Sequence, residues 1–166
     1  QIKPTRAHNF LSQLEVAEKM LGIVTQNIDS LHQRAGSKHV YELHGSFEQS
    51  FCRECQKMYL FAALKEKIQN EVVPLCDCGG VLKPNIVFFG EDVKDFVAAV
   101  ELSEKADLFF IIGTSCVVYP AAQIPAFATG DIVIVNKGKV ELDLFNITLR
   151  VNADADEFFK QVEFYL

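Results

Sequence analysis

Ala7, Phe10, Leu11, Leu14, Ala17 and Leu21 recur at the spacing of one helical face. That pattern predicts an amphipathic helix over 5–21. Gly22 stands where a helix C-cap belongs. Short apolar runs predict strands over 22–26, 40–44 and 85–89. Leu108–Ile112 is apolar throughout, as in a strand covered on both faces; 132–135 is another such run, and a weaker one follows at 147–151. Helical spacing returns at 93–105 and 121–127, and again from about Asp154, where Phe158, Phe159 and Val162 share a face. Strands alternating with helices predict an α/β fold around a parallel sheet. The stretch 50–81 breaks the alternation and reads as an inserted module, which divides the chain into 1–49, 50–81 and 82–166.

Composition narrows the classes. The chain has 166 residues, 49% of them apolar, enough for a real core. No apolar run reaches the roughly 20 residues of a membrane span, and no secretion signal is visible, so a cytoplasmic protein is expected. The net charge is −6, without a Lys/Arg block, which argues against nucleic acid as a partner. Residue 1 is Gln, so a processed or partial chain is expected.

Cysteines change the picture most. Cys52-x2-Cys55 and Cys76-x-Cys78 lie on either side of twenty residues, and Cys116 stands alone. Four thiolates suit a closed, structural zinc site; four buried free thiols are the alternative. The second pair is one residue short of the usual spacing, but Gly79 and Gly80 follow and allow a tight fold-back. Cys116 reads as a small core residue rather than a nucleophile.

Three expected strand ends carry polar residues: 25–29 running into Ser30-Leu31-His32, 42–46, and Gly113-Thr114-Ser115. Ligands of open α/β sheets bind beyond such ends, and small residues let backbone N–H groups approach a phosphate. No G-x-G-x-x-G run occurs. His44 beside Gly45 fits either a structural hydrogen bond or a base working near neutrality. Asp29 fits either a turn cap or a binding role. Asn136 closes the next strand as a ribose or adenine candidate.

Taken together, these pieces resemble the sirtuins. The run from Thr25 to Gly36, TQNIDSLHQRAG, resembles their NAD-site motif, and Glu42-Leu43-His44-Gly45 their catalytic-histidine motif. The paired cysteines, KPNIVFFGE at 83–91, Gly113-Thr114-Ser115 with VVYPAA at 117–122, and Val135-Asn136 follow in the family's order. The resemblance implies a Rossmann-like parallel sheet with an inserted zinc ribbon. It also implies an NAD-dependent deacylase that moves the acyl group of a lysine to ADP-ribose and releases nicotinamide. His44 would be the general base. Gln26, Asn27, Ile28 and Asp29 would line the nicotinamide and ribose pocket. Gly113, Thr114 and Ser115 would hold the phosphate region, and Asn136, Lys137, Gly138, Asp154 and Ala155 the adenosine half. A strand over 87–91, with Val87, Gly90 and Glu91, would flank an acyl-lysine peptide by strand addition; Ile86, Phe89 and Val118 would wall the acyl tunnel. Cys52, Cys55, Cys76 and Cys78 would be the zinc ligands. The family's first strand and Gly-Ala-Gly loop are not among these residues, which implies a need for a further segment or a partner chain. A non-catalytic peptide-binding remnant and a mono-ADP-ribosyltransferase stay open as other readings.

Overall fold

In the computed structural model, which describes residues 2–162, the chain divides into two compact units. One takes Gln1–Val24, Leu31–Tyr41 and Asp95–Leu166; the other takes Thr25–Ser30 and Glu42–Lys94.

The first unit carries a parallel sheet of three strands, β6 (Leu108–Ile112), β7 (Asp131–Val135) and β8 (Ile147–Val151), in that order. Side chains of β7 alternate between the two faces of the sheet, all but Asp131 buried. Ile132 and Ile134 pack with Ile111, Ala128 and Val140. A second core gathers Ala7, Phe10 and Leu11 of α1 (Arg6–Val16), Ile23 of β1 (Ile23–Thr25), and Phe159 of α5 (Ala155–Val162). Phe10 and Phe159 stack at 4.7 Å. The helical stripes read from the sequence therefore face this core. β6 departs from expectation: only Ile111 is buried, and Leu108 is 49% exposed. It pairs with β7 alone among the described residues, so its all-apolar run belongs to a sheet edge.

Helix α1 ends five residues before Leu21. Glu18 takes a left-handed conformation, φ 57°, and closes the helix with two bonds, Glu18 N to Glu15 O and Lys19 N to Leu14 O. Gly22 caps nothing; a Cβ there would press on His39 O at 3.1 Å and the Tyr41 ring at 3.2 Å. Strands β1 and β2 (Val40–Glu42) pair with each other, and a short helix α2 (Leu31–Ala35) lies between them in sequence. β2 stops before His44. Helix α4 (Phe96–Lys105) starts later than the apolar pattern suggests, behind a left-handed Asp95. Residues Ala121–Phe127 form a 3-10 helix with Pro125 inside it.

The second unit is antiparallel, with strand order β4 (Met58–Leu60), β3 (Gly45–Cys52), β5 (Leu82–Ile86). Helix α3 (Phe61–Asn70) buries Leu64 against Cys52, Cys76 and Leu82. Neither β3 nor α3 was evident from apolar spacing. The strand expected over 85–89 is displaced: β5 ends at Ile86, and 87–91 leaves the sheet as a turn. Pro84 is tolerated because β5 is an edge strand. The architecture is thus α/β, a Rossmann-like parallel sheet with an antiparallel ribbon inserted in the chain. Among the described residues no helix is long and apolar enough to cross a membrane.

Candidate functional site

His44 sits in the turn between β2 and β3, half-buried. Its Nδ1 lies 3.1 Å from the backbone oxygen of Gln26. A carbonyl can only accept, so Nδ1 carries a proton, and in the neutral ring the lone pair is on Nε2. The backbone on both sides of the ring is clamped. Leu43 N donates to Thr25 O at 3.0 Å, Lys94 N to Leu43 O at 2.9 Å, and Val87 N to His44 O at 2.9 Å. Gly45 has φ 72°, and a Cβ there would come 2.0 Å from Asn85 O. Only glycine fits, so the chain turns sharply beside the imidazole.

The 25–30 loop that supplies Gln26 O is braced by polar contacts. Thr25 Oγ1 accepts the N–H of Asn27 at 3.1 Å, and Ile28 O accepts that of Phe47 at 3.2 Å. Ser30, at φ 55°, is buried and shares a 2.8 Å hydroxyl bond with Ser46; it also donates to Glu42 Oε1 at 3.5 Å. Asn27 and Asp29 are exposed along this loop, alternating with half-buried Gln26 and Ile28. Thr25, Ser30, Glu42 and Ser46 position the loop, and nothing in the spacing of the sequence marks them for that task.

Residues 87–91 follow in the same unit. Phe89 is fully exposed and Gly90 has φ 89°. Glu91 braces the turn: its Oε2 accepts Phe88 N and Lys83 Nζ, both at 2.9 Å. Those two bonds, the Phe88 N–H first, hold the Glu91 carboxyl below its usual range. Lys83 also donates to Ile86 O at 2.9 Å. The expected strand over Val87–Glu91 is therefore a hydrogen-bonded turn, in which Glu91 closes the loop with its side chain.

The four paired cysteines converge, their Sγ atoms all within 4.8 Å of one another. Cys52 and Cys78 are 3.5 Å apart, Cys55 and Cys76 3.6 Å. Tetrahedral thiolates at a zinc–sulfur distance of about 2.3 Å stand about 3.8 Å apart, so the set fits a four-sulfur zinc centre. The short second pair works because Gly79 turns at φ 87° and Gly80 lies so close to Cys52 Sγ that a Cβ would meet it at 2.6 Å. Gly79 N donates to Cys76 O at 2.9 Å, and Cys76 N to Gly80 O at 2.8 Å, closing the knuckle. Backbone donation from Cys78, then the Tyr59 hydroxyl, draw the Cys76 thiol down to about 6. Cys78 is pushed up to about 12: a bond from Gly80 N–H lowers it, but its three neighbouring sulfurs more than offset that. Cys116 is half-buried against the Ile111 core, and burial raises its thiol, which suits a packing residue.

The other unit holds the remaining candidates. Gly113 ends β6 at φ 62°, with its N–H on Val135 O; Thr114 Oγ1 accepts Cys116 N at 3.2 Å, and Ser115 is exposed. Val118 is 44% exposed on the same loop. Asn136 Nδ2 donates to Gly138 O at 3.3 Å, and Gly138 N to Asn152 Oδ1 at 3.0 Å. Asn136, Gly138, Lys139 and Asn152 border a cavity of about 640 Å³, floored by Ile134 and Leu142. Lys137 is exposed beside it. Asp154 caps α5: its Oδ1 accepts Asp156 N at 2.9 Å and Glu157 N at 3.4 Å, and Ala155 opens the helix.

Comparison with known proteins adds the family. Residues 1–120 match the model of the Sir2 family. The chain is 44% identical over 168 aligned positions to an NAD-dependent protein deacetylase of Thermotoga maritima, covering 98% of this chain and 68% of the relative. It is 40% identical to one of Sulfolobus acidocaldarius, covering 86% and 58%. Among solved structures, Sir2 with a p53 peptide and NAD+ superposes with TM-score 0.93 at 43% identity, over 99% of this chain and 71% of the other. A Sir2 bound to a propionylated peptide matches equally, over 99% and 72%. The chain thus spans 58–68% of the length of these two curated relatives.

Proposed function

Because the chain belongs to the Sir2 family, we propose that it carries the catalytic base and zinc ribbon of an NAD-dependent protein-lysine deacylase. The observation that carries this reading is the fixed tautomer of His44, with Nδ1–H on Gln26 O and Nε2 left to accept a proton. NAD supplies an ADP-ribose acceptor for the acyl group, with nicotinamide as the leaving group. His44 Nε2 takes the proton of a ribose hydroxyl, and the Gln26 carbonyl stabilises the imidazolium that results. Gln26, Asn27, Ile28 and Asp29, on the braced loop, orient the nicotinamide and ribose. In the other unit, Gly113, Thr114 and Ser115 bind the phosphates. The cavity beside Asn136 and Gly138, with Lys137, takes the adenosine half. Asp154 and Ala155 serve the adenine end through the start of α5. An acyl-lysine peptide lies along the 87–91 turn, with Ile86 and Phe89 around the acyl chain. Val87, Gly90 and Glu91 offer its backbone a shaped edge. Cys52, Cys55, Cys76 and Cys78 hold a structural zinc that supplies folding energy but no open coordination position.

The same reading puts the chain in the cytoplasm, supported by four converging cysteines that are free instead of paired as disulfides. Nicotinamide release with an acetylated lysine peptide tests the proposal. The protein is expected to release nicotinamide, and His44→Ala to lose at least about 100-fold. Release that is unchanged in His44→Ala rejects the base assignment. Absence of release in both, with NAD and peptide bound, favours a peptide-binding role.

A further inference from the structure

The cysteine cluster has a side-chain hydrogen-bonding shell built by β4 and the knuckle. The Tyr59 hydroxyl lies 3.0 Å from Cys76 Sγ and 3.3 Å from Asp77 Oδ2. A phenol has one proton and gives it to one of the two. Asp77 Oδ2 is also engaged by Lys57 Nζ at 2.6 Å, and that ammonium stands 5.0 Å from the Tyr59 ring centre. Cys76 is 5% exposed, so water does little to solvate its sulfur. Four thiolates on a dication leave a net charge of about −2. Donors aimed at the sulfurs spread that charge and lock ligand orientation. Cys52 has such donors in the N–H groups of Glu54 and Cys55, at 3.4 and 3.5 Å. For Cys76 the side-chain donor is Tyr59.

We propose that Tyr59 is an outer partner of the zinc site, holding Cys76 on the ion through an O–H···S bond, and that Lys57 keeps the phenol O–H directed at the sulfur by neutralising Asp77. With Lys57 in place, Asp77 competes weakly for the proton. Without Lys57, the bare carboxylate draws it away and Cys76 loses its side-chain donor, keeping only the backbone one. The inference rests on the four-thiolate zinc reading and is independent of the deacylase reading.

Zinc release separates the possibilities. The zinc-loaded full chain is mixed with excess chromophoric chelator and the release is timed, with metal stoichiometry measured first. Tyr59→Phe keeps the ring that packs beside Leu64 and Leu82 and is expected to release zinc about 10-fold faster or more. Lys57→Met is expected to accelerate release as well, but to add nothing in the double variant with Tyr59→Phe. Asp77→Asn removes the competitor and should release zinc no faster than wild type. In the cobalt-substituted protein, Tyr59→Phe should shift the thiolate-to-metal charge-transfer band, because one sulfur loses its side-chain donor. A Tyr59→Phe release rate within about twofold of wild type, with an unchanged cobalt spectrum, overturns the proposal. Additive effects of Lys57→Met and Tyr59→Phe overturn the role given to Lys57. If Tyr59→Phe does not fold, the wild-type, Lys57→Met and Asp77→Asn rates decide: Lys57→Met no faster than wild type overturns the proposal. A wild-type chain that takes up no zinc overturns the four-thiolate reading itself.

Discussion

Gly45 shows how one missing Cβ governs a site. The residue follows His44, turns at φ 72°, and lets Asn85 O approach to where a methyl would stand 2.0 Å away. An alanine must both hold a left-handed conformation and displace a strand backbone. The first alone costs about 1–3 kcal/mol, and the contact with a main-chain oxygen adds to it because no flexible side chain can yield. Gly45→Ala is expected to lower unfolding stability by at least about 2 kcal/mol, read as a shift in urea midpoint at constant slope. An unchanged midpoint would show that the turn relaxes freely. The imidazole is held by similar means. Its Nδ1 bond to Gln26 O depends on a loop whose braces, Thr25, Ser30 and Ser46, are ordinary polar residues. In the sequence, His44 is visible through its motif, but the serines that fix its partner are not, since a buried Ser–Ser bond has no spacing signature.

At the scale of elements, apolar periodicity located most of what is buried and misplaced what ends. The stripes of α1 and α5 were legible because Phe10 and Phe159 face one core. The C-terminus of α1 was not, because the left-handed residue that closes it is Glu18, not a glycine. Substituting that residue tests the point. Glu18→Gly removes the left-handed strain of about 1–2 kcal/mol and gives back part of it through the freer unfolded chain. A net gain of about 0.5–1 kcal/mol is expected, measured as a higher thermal midpoint with native circular dichroism; a loss would mean that the Glu18 side chain contributes more than its backbone costs. β3 was illegible for a different reason. A bulge between Gly45 and Ser50 shifts its register, so its side chains do not alternate cleanly between buried and exposed. The turn at 87–91 reads as a strand because Val-Phe-Phe is apolar, whereas Glu91 and Gly90 fold it back. Cysteine spacing, by contrast, marked the four-cysteine cluster directly, since four soft ligands in two close pairs have few other uses.

At the scale of the whole chain, the parallel unit is assembled from segments far apart in sequence. Asp156, in the first turn of α5, reaches the N-terminus of α1: its Oδ1 accepts the Ala7 N–H at 2.8 Å across 149 positions. The first turn of a helix exposes unpaired N–H groups and carries partial positive charge, so an ionised carboxylate there is stabilised. Burial alone would raise the pKa of Asp156, but bonds from the Ala7 and Arg6 backbone and from Thr5 outweigh it, and the folded pKa is lowered. The sign of the stability effect follows. A carboxyl whose folded value lies below its unfolded value, near 3.9, binds its proton more tightly when unfolded. Its contribution is fully present above about pH 4 and is lost as pH falls through the lowered folded value. Because the group is partly solvated, the contribution is about 0.5–1 kcal/mol. Asp156→Asn is therefore expected to lower stability by that amount at pH 7 and by progressively less below pH 4, so the two stability curves converge in acid. Urea melts at pH 7, 5, 4 and 3 measure it. Parallel curves over that range would show that the charge of Asp156 does not couple α5 to α1, and that the stacked rings of Phe10 and Phe159 hold the two helices together without it.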